Sequence, residues 1–129
     1  MKRGNRNEKT TFKFIKVNGV GTVATNKGYR DVFVYGYFTM WNWWSFIVHQ
    51  DVEDPTLVTV SEASTGYRLQ AENYYTVEDA LHFAVPFIVE KRYRFATITG
   101  RVLVQTQTNL LRRNTTNLQT LAIDTALWL

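Results

Sequence analysis

From Val32 to His49 the chain carries apolar or aromatic side chains at most positions, and three of its four tryptophans (Trp41, Trp43, Trp44) lie there. No other stretch is as bulky for as long. With both alternating faces bulky, it is expected at the centre of a sheet covered on both sides. Asn42 is the one turn-forming residue near the tryptophans, so the run should fold on itself. The expected pieces are a third strand from Tyr29 to Met40, a tight reversal at Trp41–Trp43 and a fourth strand from Trp44 to His49. Strict alternation in the third strand puts Val32, Val34, Phe38 and Met40 on one face and Phe33, Tyr35 and Tyr37 on the other. Gly36 in mid-strand permits a bend or a close neighbour.

The flanks extend the sheet. Thr10 to Val17 is rich in strand formers (Phe12, Phe14, Ile15, Val17). Its apolar phase shifts between Phe14 and Ile15, as a bulge or two-sided burial would require. Asn18-Gly19 has the composition of a type I′ hairpin turn, with a return strand over Val20 to Thr25 and a further turn at Asn26-Lys27-Gly28. After a loop at Asp51–Pro55, Thr56 to Ser61 predicts a fifth strand, and Tyr67 to Ala71 a sixth beyond the Ala63–Gly66 turn.

The period then changes. Val77, Ala80, Leu81, Ala84, Val85 and Ile88 form one helical stripe, with Thr76 as N-cap and Glu78 and Asp79 in the first turn. Pro86 removes an intrahelical hydrogen bond and clashes with the preceding turn, at a cost of about 3 kcal/mol, so the helix near 76–91 kinks there or stops at Val85, and the clean periodicity through Ile88 favours the kink. Tyr93 to Gln105 favours short strands, and Leu110 to Asn117 is a polar connection. Leu118, Leu121, Ala122 and Ala126 predict a C-terminal helix near 117–128. The expected fold is α+β: an antiparallel meander of five to six strands packed by these two helices, a single domain over 10–129 behind a flexible basic tail over 1–9.

Charge is segregated. Residues 1–30 hold eight Lys or Arg and one Glu, a balance of +7; residues 31–90 come to −8, and residues 91–129 to +5. Such ends can hold a polyanion, or pair with the acidic middle or a second copy. There is no cysteine, which removes disulfides, thiolate metal sites and a cysteine nucleophile. The first residues lack the apolar core of a secretory signal, and no apolar run of about 18 residues is present, so no membrane span is expected and the cytoplasm is the default location.

Catalytic patterns are absent. Val17-Asn18-Gly19-Val20-Gly21 joins predicted strands and is no phosphate loop, no serine sits in a nucleophile elbow, and Glu62 with Glu72 merely flank a predicted hairpin. His49 stands near Asp51, Glu53 and Asp54, which could offer carboxylate and imidazole ligands, but solvated loop acids are the plainer reading. His82 is a helix-boundary histidine. A non-enzymatic protein without metal or cofactor is therefore expected. Aromatic and basic residues together point to single-stranded nucleic acid, with bases stacked on Tyr35, Tyr37 and Trp43 and phosphates held by Lys2, Arg3, Arg6, Lys9, Lys13, Lys16 and Arg30. The alternative is a protein-interaction module, an inhibitor, adaptor or assembly subunit, that self-associates or docks a protein partner through its apolar end, Leu127, Trp128 and Leu129.

Overall fold

The computed structural model describes residues 11–69, 72–103, 108–115, 119–120 and 125–128, and side-chain surroundings within 12–69, 72–91 and 110–115. The expected tail over 1–9 lies outside the described residues. An antiparallel sheet forms the body of an α+β fold. Its strands β1 (Thr11–Thr25), β2 (Gly28–Met40), β3 (Trp44–Gln50) and β4 (Val58–Glu62) lie side by side in chain order. These four strands of five residues or more are fewer than the five or six expected. Two short pieces, β5 (Gln119–Thr120) and β6 (Thr125–Trp128), add to the outer edge of β1. The helices are α1 (Val77–Leu103) and α2 (Thr108–Asn114).

The first strand corrects the Asn18-Gly19 hairpin. Both residues lie inside β1, where the pairing with β2 shifts register between Lys16 and Gly19. Ile15, Val17 and Val23 keep one alternation through this point and reach one cluster, so folding back at Asn18 would have thrown half of that set into water. The turn falls instead at Asn26-Lys27.

That register shift is half of a larger device. Lys16 faces Gly36 and Gly19 faces Val34, so three steps along β1 match two along β2. Gly36 faces Val48 and Val34 faces His49, so the same two match one step along β3. The strands fan, and β2 changes face within one residue. Val32 and Val34 join Val17, Val23, Ile47 and Ala63 on one side of the sheet. Phe38 and Met40 join Phe12, Phe14, Trp44 and Phe46 on the other, against Ala80, Leu81, Ala84, Val85 and Ile88 of α1. The single face expected for Val32, Val34, Phe38 and Met40 is thus split. Gly36 permits the change, because a Cβ there would meet the Phe14 ring and lie 2.7 Å from the Ile15 carbonyl oxygen.

Beyond the bulges the sheet curls until its edges meet. β1 and β4 occupy opposite sides of the four-strand order, yet the Ala24 N–H donates to the carbonyl of Gly66, just past β4, at 2.9 Å. Asn114, at the end of α2 and fully buried, fastens this seam. Its Oδ1 accepts the Thr22 N–H at 2.7 Å, and its Nδ2 donates to the carbonyls of Thr22 and Ala63, each at 2.9 Å. Gly21 makes room, since a Cβ there would stand 2.7 Å from Asn114 Oδ1. Arg113 adds an exposed clasp to Thr22 Oγ1 and Asp31.

Four other expectations differ from the structure. Of the sixth strand expected over Tyr67 to Ala71, the described residues 67–69 form none; Arg68 and, further on, Tyr74 meet β4 only through isolated bridges, to Ser61 and Val58. Thr76 caps α1 as expected, its Oγ1 accepting the Asp79 N–H at 3.0 Å. α1 also continues past Pro86, as the stripe through Ile88 favours, but it runs on through Tyr93 to Leu103, where the sequence favours short strands, because adding a residue to a formed helix costs far less than starting a new element. The polar connection over Leu110 to Asn117 begins instead as α2. The C-terminal helix near 117–128 is replaced by β5 and β6, which satisfy the otherwise bare outer edge of β1. Among the described residues no helix is long and apolar enough to cross a membrane.

Asn114→Ala would leave the Thr22 N–H and two carbonyls without partners in a partly buried seam, and is expected to lower stability by about 3 kcal/mol. Arg113→Ala, which removes only exposed contacts, should cost less than about 1 kcal/mol. Urea unfolding midpoints of the two variants check the contrast.

Candidate functional site

The two ends of the sheet carry different chemistry. At one end is the β2–β3 reversal. Trp41 (φ 51°) and Asn42 (φ 64°) both adopt left-handed backbone, and the Trp43 N–H donates to the Met40 carbonyl at 3.2 Å, as in a type I′ turn. Trp43 lies in the turn and not in the strand, so its ring is not forced to the face opposite Trp44. The two rings stack, with centroids 5.3 Å apart and planes 4° apart. Trp41 also stacks on Trp44, at 6.3 Å and 26°. Trp44 is buried and continues inward to Phe46, Phe38 and Phe12, each ring 4.9 to 5.4 Å from the next. The outer rings remain open, Trp41 at 45% and Trp43 at 54% exposure.

The expected aromatic platform is not assembled as a set. Tyr35 packs on the α1 side and Tyr37 on the other, because the face change of β2 falls between them. The basic residues are also dispersed. Lys13 and Lys16 are exposed three residues apart in β1, on opposite faces. Arg30 stands near the start of β2, about 30 Å along the strand from the tryptophan turn. Lys2, Arg3, Arg6 and Lys9 lie outside the described residues, but they precede Thr11, and antiparallel pairing puts the start of β1 beside the end of β2, from which the turn springs. β6 pairs Trp128 with Thr11 at that same end. Leu127 faces Phe12 in that pairing, and Leu129 lies outside the described residues. Trp41 is the ring that sequence reasoning missed; only its place before Asn42 in a two-residue turn could have marked it.

At the other end, where the sheet curls closed, a cleft of about 630 Å³ opens between the β1–β2 turn, β3, β4 and the residues Tyr67, Arg68 and Asn73. His49 forms its floor and is buried. Its Nδ1 lies 2.6 Å from the Gln50 carbonyl, which can only accept, so Nδ1 carries the proton. Nε2 then accepts the Ser61 hydroxyl at 2.8 Å. Burial drives the His49 pKa down to about 4, against the opposing pull of the Gln50 carbonyl and Asp51. Asp51 closes the adjoining loop: Oδ2 accepts the N–H groups of Glu53 and Asp54 at 3.1 and 3.0 Å, and Oδ1 lies 3.0 Å from the Thr59 hydroxyl. Burial raises its pKa, but these donors and Arg68 outweigh it and hold the carboxyl below its usual value.

The acids near His49 thus serve the loop, and among the described residues no three His, Cys, Asp or Glu side chains converge as metal ligands. Glu62, set against Glu72 in the sequence, is buried and accepts from the N–H and hydroxyl groups of Ser64 and Thr65, while Glu72 is exposed. The His49–Ser61 pair was illegible in the sequence, since only strand pairing brings residues 12 apart into contact. No family model, curated protein or solved structure matches this chain.

A histidine depressed from 6.5 to about 4 binds fewer protons folded than unfolded between those values, so its stabilisation is complete above pH 6.5 and is lost as pH falls toward 4. The loss should reach about 3 kcal/mol. Denaturation midpoints measured across that window should fall steeply in the parent and much less in His49→Gln.

Proposed function

We propose that this is a cytoplasmic, non-enzymatic protein that binds single-stranded nucleic acid at the tryptophan turn. The observation that carries the reading is the stack at the sheet's end. Two open indoles rest on a third that is anchored in the core, and the chain leading into the same end of the sheet contains Lys2, Arg3, Arg6 and Lys9. Bases stack on such rings at about 1–3 kcal/mol each, while lysine and arginine hold the phosphates. Trp41 and Trp43 replace Tyr35 and Tyr37 as the stacking surface, Lys13 stands nearest in β1, Lys16 lies further along that strand, and Arg30, at the opposite end of β2, is no part of this surface.

A second reading has a specific support. Among the described residues Thr125–Trp128 is the outermost strand at this end of the sheet, an edge to which a strand of a protein partner or a second copy can add. Shortening the chain by residues 126–129 should then change its oligomeric state or partner binding, and should leave oligonucleotide affinity in place.

Tryptophan emission during titration with mixed-sequence single-stranded oligonucleotide should be quenched at low salt and recover at moderate salt, because counterion release drives the binding. Replacing Trp41 and Trp43 together by Ala should weaken affinity by about tenfold or more. Absence of quenching at low salt would overturn the nucleic-acid reading.

A further inference from the structure

We propose that the cleft at the closed end of the sheet binds a small hydroxylated anion of the sugar-phosphate class, with its charge held at the rim by Lys27 and Arg30 and its hydroxyls facing His49 and Ser61. This site is separate from the tryptophan turn. It lies at the opposite end of β2, and neither reading depends on the other.

The location fits a ligand site. The mouth of a curled sheet is a preferred place for one, and about 630 Å³ is the size of a small-molecule pocket, far more than a bare phosphate fills. The lining is graded in charge. At the rim, Lys27 and Arg30 are exposed, and no described carboxylate lies within ion-pair distance of either. Arg68 is already engaged, facing Asp51 at 3.9 Å and donating to Asn73. Two uncommitted cations suit a dianion more than a single charge. Glu53, exposed on the opposite lip, disfavours placing that dianion across the whole mouth and directs it to the β1–β2 turn.

The floor presents acceptors. The imidazole of His49 is neutral, with both nitrogens engaged, and the Ser61 hydroxyl gives its hydrogen to Nε2. With its hydrogen committed there, Ser61 can only accept a further hydrogen bond. With the Asp51 carboxylate beside it, this floor repels an anion and welcomes hydroxyl donors. Tyr67, 47% exposed on the wall, offers a ring face for the C–H groups of a sugar. Anion outward and hydroxyls inward is the polarity of a sugar phosphate.

The test uses the full chain, with ribose phosphate as the probe and ribose and inorganic phosphate as controls. Binding is followed by backbone-amide chemical shifts of residues 23–30, 49–53 and 59–68. Saturable shifts confined to those residues, at least about tenfold tighter for ribose phosphate than for either control, are expected. Lys27→Ala with Arg30→Ala, on an exposed turn and outside the core, should weaken that binding by about tenfold or more and leave oligonucleotide quenching of the tryptophans unchanged. Conversely, replacing Trp41 and Trp43 by Ala should leave the ribose phosphate shifts intact. Equal binding of inorganic phosphate, unchanged affinity in the double variant, or no shifts up to a concentration on the order of 10 mM would each overturn the proposal.

Discussion

The register slip across three strands at Gly36 is the constraint from which the rest of the molecule follows. A flat pairing of β1, β2 and β3 would put Val32, Val34, Phe38 and Met40 on one side and leave the other side to aromatic and polar residues. Three steps of β1 against two of β2 and one of β3 make that impossible. The sheet twists and bends instead, as bulged strands do. The half that leads to the tryptophan turn then buries its phenylalanines under α1, and the half that leads to the β1–β2 turn buries valines on the opposite face. The approach of the Phe14 ring and the Ile15 carbonyl to Gly36 leaves no room for any side chain there.

The bend has a consequence at the seam. A sheet that curls brings the backbone of its edge strands together in a dry place, where every N–H and C=O needs a partner. One direct bond, Ala24 to Gly66, supplies part of this. Asn114 supplies more by acting as a short piece of strand: its amide offers Thr22 the same donor and acceptor that a neighbouring backbone would, with one donor left for Ala63. A side chain with only one of these functions would leave buried polar groups unmet. Closing the seam also creates the cleft, because the curl stops short of sealing the space between the β1–β2 turn and Tyr67, Arg68 and Asn73. His49 sits at its floor for the same reason that Val34 faces it: the slip carries both to the same side of the sheet.

The sequence made the centre of this fold legible and its ends much less so. The β2–β3 hairpin follows from a run of bulky residues with a single turn former, because no competing structure buries that run as well. The start of α1 follows from a clean stripe and a threonine cap. Asn18-Gly19 misled because turn propensity is local, whereas the alternation of Ile15, Val17 and Val23 across it answers to partners on other strands. The C-terminal stripe misled in the same way: Ala126, its one member among the described residues, lies in β6 on the edge of β1. Tyr35 and Tyr37 look like neighbours on one face only while the strand is assumed to be regular. The cleft depends on contacts between residues 12 to 92 positions apart, which no pattern within one segment encodes.

Trp41 poses the sharpest physical question in the chain. A bulky residue at φ 51° costs roughly 1–2 kcal/mol that glycine at the same place would not. Stacking on Trp44 returns about 0.5–1.5 kcal/mol, and the buried half of the indole offsets the rest of that cost. Even so, nearly half of Trp41 stays in contact with water. Trp43 is more open still, and it lies flat on Trp44, so one ring face is turned outward. Two rings held open by a turn that would be more relaxed without one of them make poor core residues. They make a good rigid surface, because the buried Trp44–Phe46–Phe38 column beneath fixes their orientation before any ligand arrives, and a preorganised ring loses little entropy when something flat is laid against it.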